Sequence, residues 1–192
     1  MGPFERLRRG LAAIIFMACL PLLTVLIPAG WAIAVRISGN VHEVVPGELY
    51  RSAQLSGPFL NKVVTRYGIR TVINLRGPNS ESAWYRDEVA ATSANHIAHI
   101  DIAMSANREP GTETIDQLIA AFKTASKPIL VHCEAGADRS GLASAIYELM
   151  IEHRPASESN RQLSFYYGHF PWLWSRTGAM DRAFEHLANK VH

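Results

Sequence analysis

The chain has 192 residues, enough for one domain with a sizeable core and too few for two. Lys and Arg total 19 against 17 for Asp and Glu, and no basic run is interleaved with aromatics, so nothing points to a nucleic-acid partner. The two cysteines, Cys19 and Cys133, with the first inside an apolar N-terminal stretch, exclude a disulfide scaffold.

In chain order, residues 1–10 form a short basic tail carrying Arg6, Arg8 and Arg9. From Leu11 to Val35 the sequence LAAIIFMACLPLLTVLIPAGWAIAV holds no charge, and about 20 apolar residues suffice to cross the hydrocarbon core as a helix. One transmembrane anchor over 11–35 is predicted, with Pro21 and Pro28 as kinks that a membrane helix tolerates. The arginines before it outweigh the single Arg36 behind it. The positive-inside tendency therefore places the N-terminus in the cytoplasm and the domain at 36–192 in the periplasm or exterior, as a single-pass membrane protein. Ala32-Ile33-Ala34 resembles a signal-peptidase site, but the apolar stretch exceeds the usual signal core, which favours an uncleaved anchor. A buried core helix is disfavoured because the segment has no polar face.

Beyond the anchor, Val41–Leu55 reads as two short strands broken at Pro46-Gly47. Phe59, Leu60, Val63, Val64 and Tyr67 recur at helical spacing, and Gly68 supplies the stop. A buried strand follows over Arg70–Gly77, a helix over Trp84–Ser93 and a strand over His96–Met104. Ser105–Gly111 is a loop, and Thr114 with Gln117 predicts a capping box opening the next helix. Ile115, Leu118, Ile119 and Phe122 give that helix its inner stripe. Pro128–His132 is a strand, and Leu142, Ala145, Ile146, Leu149 and Met150 mark the inner face of a helix starting near Ser140. Helix is expected again from about Thr177. Alternating strands and helices predict an α/β fold, a central sheet flanked by helices.

The chemistry concentrates in KPILVHCEAGADRSG, Lys127–Gly141. A strand that ends at Cys133, a glycine-bearing loop and a helix beginning just after it aim loop amides and a helix N-terminus at one point, an anion site. A thiol there meets the helix dipole and the Arg139 guanidinium, both of which favour the thiolate. Arg139 can grip two phosphoryl oxygens bidentately. Glu134, Ala135, Gly136, Ala137, Asp138 and Arg139 would line the bound phosphate, with Gly136 providing the backbone freedom. The fitting reaction is thiolate displacement at phosphorus and hydrolysis of a cysteinyl-phosphate. Ser140 is placed to assist departure of the thiolate, and His132 to orient the loop. Arg51 and Arg76 could reach the phosphate from neighbouring strands or serve structural roles. No metal-ligand spacing is present and no cofactor is called for.

The run HCEAGADRSG resembles the signature of the cysteine-dependent protein tyrosine phosphatases: His-Cys, five residues, Arg, then Ser or Thr. LYRSAQL and YGIRTVINLRG upstream resemble the atypical dual-specificity branch of bacteria, plants and fungi. The resemblance covers about Val41 to Glu152 and implies the phosphatase α/β fold, a phosphomonoester substrate, Cys133 as nucleophile and Arg139 as phosphate clamp. A phosphate-binding module without turnover is the competing class, and it would ordinarily lack one of those two residues.

Leaving-group departure needs a general acid. Relatives place an aspartate about 30 residues before the cysteine, and Asp101 has nearly that spacing but falls within a strand, while the following loop offers Glu109. Some phosphatases have Asp immediately before the arginine, as Asp138 stands here. All three stay open. Substrates that fit are a phosphorylated protein, phosphotyrosine above all, or a small phosphomonoester. Glu134 and Asp138 in the loop are expected to repel polyanions such as phosphoinositides and inositol phosphates.

Overall fold

The computed structural model describes residues 4–5, 16–17, 24, 26–171 and 176–191. The chain divides into two compact units, Met1–Ala34 and Val35–His192. Of the anchor expected over 11–35, residues 11–15, 18–23 and 25 lie outside the described residues, and among those described no helix is long and apolar enough to cross a membrane.

The second unit is built on five strands: β1 (His42–Val45), β2 (Leu49–Ser52), β3 (Thr71–Asn74), β4 (Ala98–Asp101) and β5 (Ile129–His132). They lie side by side in the order β1-β2-β5-β3-β4, with β1 antiparallel to β2 and the other neighbours parallel. β5 is therefore central, and its C-terminal end is the crevice where ligands of open α/β sheets bind.

Side-chain alternation along the strands divides the core into two layers. Leu49, Ile73, Ile129 and Val131 point to one face and pack with Leu118, Phe122, Leu142, Ile146, Met180 and Phe184. Tyr50, Val72 and Leu130 point to the other and pack with Leu60, Val63, Val64 and Ala91. The first face is covered by α3 (Thr112–Thr124), α4 (Asp138–Met150) and α6 (Gly178–Val191), the second by α1 (Gly57–Tyr67) and α2 (Ala83–Ala94). A short α5 (Ala156–Ser159) leads through two 3-10 turns toward α6. α4 runs through the middle of its layer, buried from Ser140 to Leu149.

The helices follow the sequence signals closely. Gly68 closes α1 in the left-handed conformation, with its N–H on the Val64 carbonyl. The expected capping box does not form. α3 begins at Thr112 behind a Gly111 N-cap with no side-chain cap bond, so Thr114 already lies inside the first turn, where its hydroxyl has no orphan N–H to accept from. α4 begins at Asp138 rather than Ser140, putting an acidic side chain in the first turn, where the helix dipole favours it. The strand expected over 70–77 ends at Asn74, leaving Arg76 in the turn beyond the sheet edge.

Candidate active site

Cys133 follows β5 directly and is a buried free thiol. The loop after it is held by its carbonyls. The Glu134 carbonyl accepts from the Gln54 N–H at 3.2 Å. That of Ala135 accepts from Asn40 Nδ2 at 3.0 Å. Those of Gly136 and Ala137 both accept from Arg51 Nη2, at 2.8 and 2.9 Å. A trans peptide points its N–H opposite to its C=O. Tying four successive carbonyls outward therefore turns the N–H groups of Ala135, Gly136, Ala137 and Asp138 to the other side, the geometry of an anion nest. None of those four N–H groups donates to another described group. Gly136 is required twice over: its φ of 72° is left-handed, and a Cβ there would sit 2.6 Å from the Ala53 nitrogen.

The residues that build this cradle come from far away in the chain. Arg51, completely buried on β2, does not approach from solvent as a phosphate ligand. It lies among the loop carbonyls, with Nη1 on the Gln162 backbone and side-chain oxygens at 2.7 and 2.9 Å and its guanidinium 3.9 Å from the Tyr167 ring centroid. Burial pushes its pKa down to about 10, against the pull of Tyr167, Cys133, Asp138 and Glu148, so it stays a cation. Asn40, also buried, has a left-handed φ of 46° and shares its amide between the carbonyls of Ala135 and Tyr167. Its sequence neighbourhood, Gly39-Asn40, carries no signal beyond a turn.

Next to Cys133, His132 Nε2 meets Glu88 at 3.0 Å, and Glu88 also binds His99 at 2.8 Å and Gln54 at 2.6 Å. Burial alone would raise the Glu88 carboxyl, but the bonds from His132, His99 and Gln54 win and hold it at about 2. His132 is thus tied to α2 through Nε2, while its buried Nδ1 bonds no described group. Glu88 escaped the sequence reading, yet its spacing from Ala91 and Thr92, the other buried residues of α2, was a signal.

Arg139 turns Nη1 to the Met104 carbonyl at 3.2 Å, while its buried Nε bonds no described group. Ser140 is buried and donates its hydroxyl to the Ser52 carbonyl at 3.3 Å. The acid candidates are all partnered. Asp101 accepts from Asn74 Nδ2 at 2.7 Å through Oδ1 and from the Tyr85 hydroxyl at 2.6 Å through Oδ2, which raises Tyr85 to about 12. Glu109 binds Arg182 at 2.6 Å and His186 at 3.1 Å, both on α6. Asp138 binds His169 Nδ1 at 2.7 Å through Oδ1 and makes no further side-chain bond to a described residue.

The other ring nitrogen of His169 meets Asp181 at 2.9 Å, so a buried histidine bridges the loop and α6. Burial lowers its pKa, but the bonds and charges of Asp138 and Asp181 more than reverse this and raise it above the ordinary value. Above the unfolded pKa of about 6.5 the native state then holds a proton that the unfolded chain releases. The contribution is complete below that pH and is lost as pH rises through the folded pKa. Chemical denaturation as a function of pH is expected to show stability falling above about pH 6.5, with a slope of at most about 1.4 kcal/mol per unit for one proton, and to show this contribution abolished in His169→Gln. An unchanged slope in that variant would remove the bridge from the account.

In the aromatic-rich stretch that precedes α6, Trp172 and Trp174 lie outside the described residues. Tyr167, in the same stretch, joins the site through Arg51.

Comparison with known proteins gives one family match. The model described as "DSP-PTPase phosphatase fused to NAD+ Kinase" matches residues 38–169. No curated protein matches. Among solved structures, TpbA of P. aeruginosa is 20% identical with a TM-score of 0.59, over 80% of this chain and 91% of that one. A variant of TpbA in complex with pTyr is 19% identical, also with a TM-score of 0.59, over 80% and 90%. The core catalytic domain of the PP-IP phosphatase SIW14 from S. cerevisiae, in complex with citrate, is 19% identical with a TM-score of 0.55, over 79% and 92%. At these identities the likeness establishes the fold.

Proposed function

The chain belongs to the family of DSP-PTPase phosphatases fused to NAD+ kinase, and is a cysteine-dependent phosphatase; from that premise we propose that it hydrolyses phosphotyrosine or a similar protein phosphomonoester through a cysteinyl-phosphate. The observation that carries the chemistry is the loop itself: Cys133 at the start of a loop with four inward-turned amides, followed by an arginine whose buried Nε bonds no described group.

In the first step the Cys133 thiolate forms an S–P bond as the P–O bond to the leaving group breaks, and the leaving oxygen takes a proton from a general acid. In the second, water attacks phosphorus, the S–P bond breaks, and thiolate and inorganic phosphate are released. The loop amides and Arg139 hold the equatorial oxygens in both. Ser140 can donate to the departing sulfur by releasing the Ser52 carbonyl. Among the acids, Asp138 is best supported: Glu109 is committed to α6 and both oxygens of Asp101 are taken, whereas Asp138 keeps Oδ2 uncommitted. His169 then positions that carboxyl.

The phosphotyrosine reading draws on the TpbA complex with pTyr. An inositol phosphate or phosphoinositide substrate is the second reading, supported by SIW14 and by the loop's own charges. The acids expected to repel polyanions are each engaged by another side chain, Glu134 by Arg36 at 2.6 Å and Asp138 by His169.

The test is phosphate release by the purified chain from aryl phosphates with good and poor leaving groups. Wild type is expected to turn over both and Cys133→Ser neither. Asp138→Asn is expected to lose roughly 10²-fold or more on the poor leaving group and much less on the good one, as removal of a general acid requires. Turnover by Cys133→Ser would end the proposal. Equal slowing of both substrates by Asp138→Asn would make that residue structural and pass the acid role to Asp101.

A further inference from the structure

Arg76 stands in the turn after β3, at the edge of the sheet where the loop begins. The Leu75 N–H bonds the His132 carbonyl at 2.9 Å, so Arg76 lies one residue past that pairing, as Cys133 does on the neighbouring strand. Its guanidinium is fixed from two sides. The ring of Trp84 lies beneath it, 3.7 Å from centroid to Cζ, and Gln54 Oε1 accepts from Nη1 at 3.2 Å. Gln54 in turn binds the Glu134 carbonyl through its backbone and Glu88 through its side-chain amide. Arg76 is therefore one side chain away from the loop residue that follows the nucleophile, and is half-buried.

Among the described residues no carboxylate is in ion-pair contact with Arg76 or with Arg139. The acids around the site are engaged elsewhere: Glu134 with Arg36, Glu88 with His132, His99 and Gln54, Asp101 with Asn74 and Tyr85. Two preorganised cations thus share one mouth, and the phosphoryl group needs one of them. A planar guanidinium already ordered by stacking loses little freedom when it binds an anion.

Resting on the phosphatase reading above, we propose that Arg76 forms a second anion subsite, and that the preferred substrate carries another negative group, carboxylate or phosphate, beside the phosphomonoester that Cys133 attacks. The electrostatics agree: burial weakens the hold of Arg76 on its proton and Arg139 opposes it further, while Glu134 and Cys133 favour its charge. A second anion would relieve both costs.

The experiment compares kcat/KM within two pairs, using the full chain. One pair is a phosphotyrosyl peptide flanked by acidic residues and the same peptide with alanines in their place. The other is an inositol bisphosphate with adjacent phosphates and an inositol monophosphate. Wild type is expected to prefer the doubly anionic member of at least one pair, and the pair identifies the source of the anion. Arg76→Gln is expected to lower that preference by about tenfold or more, Arg76→Lys by less, since a point charge keeps attraction but not the fork. Lys62→Gln, at an exposed position of α1, controls for bulk charge and should leave the preference in place. No preference in either pair, a preference unchanged in Arg76→Gln, or an equal fall in Lys62→Gln would overturn the subsite while leaving phosphatase activity standing. A wild-type chain that hydrolyses none of the four substrates or an aryl phosphate would overturn the underlying reading, and this one with it.

Discussion

Arg139→Lys is expected to lower kcat/KM on an aryl phosphate by about 10³-fold, more than one lost hydrogen bond would, because two effects coincide. The buried Nε and one Nη are the donors that a phosphoryl group can meet in parallel, since the other Nη is held by the Met104 carbonyl. An ammonium keeps the charge but not the fork, so at most one oxygen is met and the equatorial plane is no longer fixed against Cys133. The Met104 tether is lost as well, which frees the segment that runs from β4 into the 105–111 loop. Charge on the equatorial oxygens persists through both steps, so the loss should fall on kcat as well as on KM. Tightness of vanadate binding, measured on the same variant, should drop in parallel, because that anion uses the same donors. A variant within tenfold of wild type would show that the loop amides suffice and would strip Arg139 of its role.

The contrast between what the sequence disclosed and what it concealed follows contact distance along the chain. The strand, the loop and the helix that position Cys133 and Arg139 are contiguous, so residue type and a spacing of six were enough to read them. The two-layer sheet was legible because the apolar periodicity of Leu49, Ile73, Val131, Leu118 and Phe122 is a local record of burial. The residues that shape the loop left no such record. Arg51 meets Gly136 across 85 positions and Asn40 meets Ala135 across 95, and a donor to a distant carbonyl looks in sequence like any polar residue at a strand or turn. His169 was missed for the same reason. It stands between Tyr167 and Phe170, a neighbourhood whose composition by itself indicates packing, while the ring bridges Asp138 and Asp181. The charges of Glu134 and Asp138 are legible as residues, but the partners that engage them, Arg36 and His169, lie 98 and 31 positions away and leave no local mark.

Arg51 is where stability and catalysis meet, and Arg51→Met is expected to damage both. Methionine fills much of the same space without a donor. The Gly136 carbonyl then has no partner, the Gln162 carbonyl and side-chain oxygen lose theirs, and the Ala137 carbonyl keeps only the Gly141 N–H. Leaving buried polar groups unpaired costs about 1–3 kcal/mol each, and breaking a buried charged network by removing one member costs about 3–5 kcal/mol in all. Against a total stability of roughly 5–15 kcal/mol, the variant should unfold at much lower urea. Arg51→Lys keeps a cation under the loop but can hold only part of the set, so it should fall between. The catalytic consequence is separable from the stability loss. With its carbonyls released, the loop can flip the Gly136 and Ala137 peptides, and each flip turns an amide away from the phosphate. Activity per folded molecule, measured at low temperature where the variant is still native by near-UV circular dichroism, is expected to fall by about 10²-fold, the loss typical of one oxyanion donor. Should Arg51→Met unfold within about 1 kcal/mol of wild type and keep its activity per folded molecule, the carbonyl-tying role would be lost, and the inward amides would have to be held by the loop's own backbone.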